Sequence, residues 1–371
     1  MIEKSNLENT EFKDFYTNFS EILKKMSPNL IKDYNFIYLP GDELPWRETN
    51  VNVKTGEKIT VISKGEVCIS RQFNIWFEPH LQLWFRIAEN GNIFNGPQNT
   101  FTFTADSTGK LFLANYLQDW ADKSGNTNPT DEKNYKRLKV QGGISILIIR
   151  WREDPFKSLE QLAAIGDYEN LIIKEINRLL NPVHAPDGWK YLWSIGESDV
   201  FWQCTDDKHE QKICCYAKGQ AAILQKDVSL ILDPNTTIRW SWKIDLLPSE
   251  NPENLLFYHD YLSIAVEFNN RQDITYHWSC KLPVETAYRC PFPTWTNRET
   301  HVVIRSGKNG LKSWINEQRN LYNDYRNVIG DPPEKIIRVW LIVNTQIQNV
   351  EGKCEFADIE LVNNKNTIKI L

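Results

Sequence analysis

The sequence predicts a mostly β protein: two β-sandwich or jelly-roll domains, an N-terminal helix, and a helical connector between the sandwiches. Three observations lead there. Short runs of alternating apolar and polar residues, punctuated by turn residues, fill residues 36–151 and again 221–362. Two segments interrupt that texture with a 3.6-residue period. The composition holds 14 Trp, 14 Tyr and 17 Phe against two Met, and such rings pack well on a pleated surface. At 371 residues the chain also exceeds one ordinary core.

Residues 1–34 carry an amphipathic helix. Phe12, Phe15, Phe19, Ile22 and Leu23 recur at helical spacing, and Ser27-Pro28 ends the run. Residues 35–152 form the first sandwich. Its strands are KITVISKGEVCIS, LQLWFRIA, NTFTFTA, KLFLANY and ISILIIRW, parted by the turns GNIFNG, DSTGK and KSGNTNPT. Residues 153–186 are the connector. Leu159, Leu162, Ile165, Leu171, Ile172, Ile176, Leu179 and Leu180 keep a helical period, Gly166 splits it, and Pro182 and Pro186 stop it. Residues 187–371 form the second sandwich. Eight strands run from AAILQK to FADIELV, with one helix expected over SWINEQRNLYNDYRNVIG before Gly330 and Pro332.

The formal net charge is −5, and no Lys/Arg run is longer than two or three residues. A nucleic-acid or anionic-membrane surface needs a basic stripe, so neither partner is expected. The polar N-terminal stretch shows no apolar run with a cleavage site, and nothing approaches a membrane-spanning run, so the expected location is the cytoplasm. The seven Cys are odd in number and scattered. In that compartment they read as buried free thiols, and without a CxxC they argue against a structural zinc.

Side chains alternate across a strand, so each run in the second half divides into two faces. One face is apolar: Trp240, Trp242 and Ile244; Leu262, Ile264, Val266 and Phe268; Ile274, Tyr276 and Trp278. The other is mixed and carries Lys243, Glu267, His277, Glu299, His301 and Arg305. An antiparallel sandwich always has a solvated outer face, which is one reading of this set. The other is a concave face where the groups converge. There Glu267 or Asp260 would be the acid–base group, His277 or His301 its partner, and Arg305 the anion holder. The run YHDY enters a strand at the sandwich rim. Tyr258, His259 and Tyr261, with Trp242 and Trp278 as ring-bearing positions, are the candidate ligand contacts. No G-x-S-x-G, H-E-x-x-H, P-loop or G-x-G-x-x-G occurs. In the first sandwich, Asp119, Asp122 and Asn126 cluster oxygen atoms in one loop, a candidate calcium site.

The stretch from about Gly56 to Arg150 resembles the PA-I type of galactophilic bacterial lectin. GEKITVIS, LQLWFRIAENGNIF, TFTFTADSTGKLFLANY, DWADKSGN and ISILIIRW carry the resemblance. It implies a calcium-dependent β-sandwich whose loop 115–126 supplies metal and sugar ligands. Tyr116 and Lys123 stand where the pattern has an Asp and an Asn. From about Gly188 to Leu361 the chain resembles the bacterial domain of unknown function family numbered 3047. AAILQKDVSLILDPNTTIRWSWKIDLLPS, HDYLSIAVEF, DITYHWSCKLPVET, ETHVVIRSG and VWLIVNTQIQ carry this one. It implies a galactose-binding type of jelly roll and no particular activity.

The expected function is binding of a carbohydrate or other polar small molecule. The alternative is a small-molecule enzyme, a cyclase, lyase or hydrolase of specialised metabolism, with the Glu/His/Arg site above. A scaffold role for the N-terminal helix is a third reading. A homo-oligomer is compatible with each.

Overall fold

A computed structural model of the chain describes residues 9–43, 46–117, 119–127, 140–206 and 208–371. The chain divides into two compact units, Met1–Pro182 and Val183–Leu371.

The first unit opens with helix α1 (Thr10–Lys25). The Asn9 side chain caps it by accepting from Phe12 N at 3.1 Å. Among the described residues, nine strands follow: β1 (Ile31–Pro40), β2 (Arg47–Val53), β3 (Lys58–Ser70), β4 (Ile75–Phe77), β5 (Leu83–Ile87), β6 (Ile93–Asn95), β7 (Thr100–Thr104), β8 (Gly109–Asn115) and β9 (Gln141–Trp151). Helices α2 (Pro155–Ile165) and α3 (Leu171–Leu180) close the unit. One sheet runs β1-β9-β3-β4 with β7 paired to β3, and the other runs β2-β8-β5-β6. Strand β9 is buried on both faces, which explains its unbroken apolar run. Ile144, Ile146 and Ile148 meet Phe85, Leu111 and Leu113 in the sandwich core. Leu147, Ile149 and Trp151 lie among Phe12, Phe15 and Phe19 of α1 and Leu159, Leu162, Leu171 and Ile172 of α2 and α3. The segment expected to be a connector is therefore a layer of the first unit, because its leucines share one apolar cluster with α1. The break in the chain falls after Pro182.

The second unit holds strands β10 (Lys190–Tyr191), β11 (Phe201–Cys204), β12 (Lys212–Ala217), β13 (Ala221–Ile231), β14 (Thr237–Leu246), β15 (Tyr261–Phe268) and β16 (Asp273–Ser279). After these come β17 (Ala287–Arg289), β18 (Glu299–Ser306), β19 (Ile315–Asn320), helix α4 (Leu321–Val328), β20 (Lys335–Asn344), β21 (Gly352–Val362) and β22 (Thr367–Lys369). A seven-stranded sheet, β10-β13-β20-β15-β16-β18-β17, faces a six-stranded one, β11-β12-β21-β14-β19 with β22 on β21. Trp240, Trp242, Leu262, Ile264, Tyr276, Trp278 and Phe356 fill the core between them.

Two expectations are corrected here. The helix expected over 313–330 begins only at Leu321. Residues Ile315–Asn320 pair instead with Trp242–Thr237 of β14, and the Asn320 side chain starts α4 by accepting from Asn323 N. The cysteines are not all free thiols, since Cys204 and Cys214 form a disulfide. They sit two residues out of register on the same face of the β11–β12 pair, with Cα atoms 6.2 Å apart, within bridging range. Cys68, Cys215, Cys280, Cys290 and Cys354 are free.

Candidate functional site

The mixed faces of the second unit separate into two sites of opposite character, one covered and one open.

The covered site lies on the outer side of the seven-stranded sheet. Register aligns its side chains in rows: Glu267–Asp273–Glu299, then Ala265–Thr275–His301, then Ser263–His277–Val303. Every residue of β15 and β16 is buried. The cover comes from the segment between β16 and β18, which contributes Cys290, Phe292 and Trp295, and from Leu192 and Ile195. These pack on Tyr261, Ala265, Trp340 and Ile342, so the face is not solvated.

Beneath the cover, three histidines and two tyrosines converge. His259 and His301 ring centroids are 4.7 Å apart, and His277 and His301 are 5.5 Å apart. The Tyr288 ring stacks on His301 at 4.9 Å. His259 Nδ1 lies 2.5 Å from the Glu253 carbonyl, so it carries the proton and leaves Nε2 with its lone pair, 3.4 Å from Cys290 Sγ. Tyr261 Oη donates to Glu299 Oε1 at 3.1 Å, and Thr275 Oγ1 lies 3.2 Å from the same oxygen. His301 Nε2 is 3.2 Å from Glu299 Oε1 without hydrogen-bond alignment, and neither of its ring nitrogens has a hydrogen-bond partner. His277 Nε2 is 3.2 Å from Tyr288 Oη.

Burial governs the protonation here. It drives His259 down to about 3 and His277 well below the ordinary imidazole range, with His301 adding to both shifts. Asp273 is pushed well up by burial and then by the neighbouring Glu299 charge. Burial likewise raises Tyr261 and Tyr288.

The expected acid–base residues do not form one set. His277 and His301 meet in the cluster. Glu267 sits at the far end of its row, where Arg338 Nη1 donates to it at 2.8 Å and Arg298 Nη2 approaches to 3.6 Å. Asp260 caps a turn: its carboxylate accepts from Ile347 N at 3.1 Å and Gln348 N at 2.6 Å, and burial raises it to about 7 against those bonds. Arg305 is on the opposite face. A register shift after His277↔Val303 sets it against Trp278, and it donates to Glu317 Oε1 at 2.7 Å. Strict alternation along the strand had put it beside His301; the bulge flips it.

The candidate ligand contacts divide in the same way. His259 and Tyr261 lie in the cluster. Tyr258 is half-buried, its carbonyl accepting from Gln348 Nε2 at 3.2 Å. Trp242 and Trp278 lie in the core between the sheets, 0% and 1% exposed, where no ligand can reach them. Glu299, Cys290 and Tyr288 complete the cluster, beyond the acid–base and ligand-contact residues that the sequence predicts. The E-x-H spacing of Glu299 and His301, which puts both on one strand face, was the available signal. Cys290 and Tyr288 arrive from the cover, which strand pattern does not anticipate.

The open site lies on the outer side of the six-stranded sheet. Half-buried Trp314, just before β19, carries the His209 ring at 4.2 Å, with Lys212 and Lys243 each 5.9 Å from its centre. Lys212 pairs with Asp206 at 2.9 Å and with Glu355, and Lys243 also pairs with Glu355. Ser241 Oγ donates within reach of Asn316 Oδ1 at 2.9 Å and Asp358 Oδ2 at 3.0 Å. Asp358 sits at a bulge where β21 slips against β14, with φ at 52°, a left-handed conformation uncommon for a non-glycine residue. The bulge turns its carboxylate, 64% exposed, toward Ser241 and to 3.5 Å from His209 Nε2.

In the first unit, the expected calcium loop is organised around Asp122. Its Oδ1 accepts from Ser124 N at 2.8 Å, and Oδ2 accepts from Asn126 Nδ2 at 2.7 Å. Among the described residues, no helix is long and apolar enough to cross a membrane.

Residues 189–360 match the family model described as "Protein of unknown function (DUF3047)". The match lies within the second unit. No curated protein matches the chain. Solved structures similar to it include the EclA N-terminal domain, described as a PllA-like lectin. That domain is 19% identical, with 33% of this chain and 99% of that one covered and a TM-score of 0.25. Another is the xyloglucanase domain of NopAA from Sinorhizobium fredii in complex with cellobiose, at 8% identity, 48% and 95% coverage and a TM-score of 0.30. A third is a carbohydrate-binding module of the β-sandwich superfamily, at 12% identity, 91% and 100% coverage and a TM-score of 0.24.

Proposed function

We propose that the protein binds a polar small molecule, a carbohydrate by preference, on the open face of the six-stranded sheet. One observation carries this reading: the Asp358 bulge aims an exposed carboxylate at the Trp314–His209 pair. Unfavourable backbone held in the middle of a strand is a common mark of a functional position. A sugar needs a flat apolar surface beside fixed donors and acceptors. Trp314 offers the first, and Ser241, Asn316, Lys243, Glu355 and Asp358 offer the second. Two lysines stand there against three carboxylates, a nearly cancelled set that favours a neutral polyhydroxylated ligand over a strongly charged one.

The test is titration of the full chain against a panel of glycans, with and without calcium, followed by tryptophan fluorescence. A ligand is expected whose affinity falls at least tenfold in Trp314→Ala and in Asp358→Asn. Binding that depends on calcium and survives both substitutions would move the site to Asp119, Asp122 and Asn126. Silence across the panel at high protein concentration would overturn the reading.

A further inference from the structure

The covered cluster supports a second inference, independent of the open face. His259, Cys290, Glu299 and His301 each offer one ligand atom, all four within 4.8 Å of one another and all buried. We propose that these four side chains form a closed structural site for a divalent transition metal ion, zinc by ligand chemistry, which fastens the 280–298 cover to the sheet.

Four features of the cluster favour it. The first is the donor set: two imidazoles, a thiol and a carboxylate suit zinc, whereas calcium and magnesium take oxygen ligands. Distances come second. Bonds of about 2.0–2.3 Å arranged tetrahedrally put neighbouring ligand atoms about 3.3–3.8 Å apart. The Cys290–His259 and Glu299–His301 pairs stand at 3.4 and 3.2 Å, so closing the site requires a contraction of about 1 Å in its widest pairs.

Third, the surroundings present the ligands in the right state. Glu253 holds the proton of His259 on Nδ1 and turns Nε2 inward, while Tyr261 and Thr275 orient the Glu299 carboxylate. His301 is fully buried, its Nδ1 has no partner and its Nε2 meets only the poorly aligned Glu299 carboxylate at 3.2 Å, a desolvation cost that a metal bond would reduce. Fourth, charge balances. Metal binding releases the Cys290 thiol proton to solvent, and the resulting thiolate and the Glu299 carboxylate together neutralise a dication, as a dry interior demands.

The four ligands come from the loop before β15, from the cover and from β18, so the site joins segments 42 residues apart (259 to 301) without any CxxC. With all four positions supplied by protein, the geometry is that of a structural site, which leaves no place for substrate.

The experiment uses the full chain, stripped with EDTA, loaded with zinc and dialysed. One zinc per chain is expected, with a melting temperature that rises on loading and falls with chelator. Cys290→Ser and His301→Asn are expected to lose the metal, whereas Cys354→Ser, a buried thiol beside Cys215 on the β12–β21 pair, keeps it. Cobalt(II) loading gives a readout that survives a folding defect in the variants. The wild-type protein should show tetrahedral d–d bands and a thiolate charge-transfer band. The proposal fails if the loaded wild type holds no more metal than a metal-free control protein. It fails equally if a folded Cys290→Ser/His301→Asn double variant holds as much as wild type, or if cobalt binds without the thiolate band.

Discussion

The two outer faces of the second unit start from the same material and end differently. Both draw on alternate residues of sandwich strands, and both carry Arg, Glu, Asp and His. On the seven-stranded sheet, the segment bearing Cys290, Phe292 and Trp295 folds back and seals the face. On the six-stranded sheet Asp358 and Arg239 keep 64% and 48% of their side-chain surface in water, while Lys212 and Glu355 between them pair below the surface. Burial is the variable that separates them. Under the cover, groups lose their ordinary protonation and unpartnered nitrogens become costly; in the open, the same residue types form screened ion pairs.

The sharpest measure of that contrast is stability. Trp242→Ala, which empties the core between both faces, is expected to cost about 3–5 kcal/mol in denaturant unfolding. Glu267→Ala on the covered side removes the carboxylate that Arg338 and Arg298 face, and should cost about 3 kcal/mol. Replacing Cys204 and Cys214 by Ser at the edge of the open sheet releases a loop of sequence separation 10 and should cost about 2–3 kcal/mol, an effect that reductant reproduces. The smallest effect belongs to the open side. Glu360→Ala, which breaks the exposed pair with Arg239, should change stability by less than about 0.5 kcal/mol. If Glu267→Ala and Glu360→Ala proved equally mild, the cover would not exclude water and the distinction between the faces would collapse.

Much of the fold was legible. The helix at Phe12, Phe15 and Phe19 and the apolar faces at Trp240, Leu262 and Ile274 follow directly from periodicity, because a repeat of 3.6 or 2 is a local property of the chain. The misread segments are those where periodicity was ambiguous or broken. INEQRN is polar enough to pass for a helix start, yet it pairs as an edge strand on β14. Arg305 left its expected face because one bulge shifts the parity of everything after it. The Cys204–Cys214 bridge depended on which strands became neighbours, and spacing alone does not encode that.

The candidate sites divide along the same line. The sequence by itself determined that the second unit is a sandwich with one apolar and one mixed side per strand, and that Glu267, His277, Glu299 and His301 share a side. Alternation along an unbroken extended backbone gives that result, and Arg305, beyond a bulge, is the residue that escapes it. Only the tertiary structure decided that this side is dry, that Cys290 and His259 reach it from outside the sheet, and that Trp242 and Trp278 turn away from any ligand. Those outcomes depend on loops crossing back over a sheet, on contacts between residues far apart in the chain, and on the loss of water they cause.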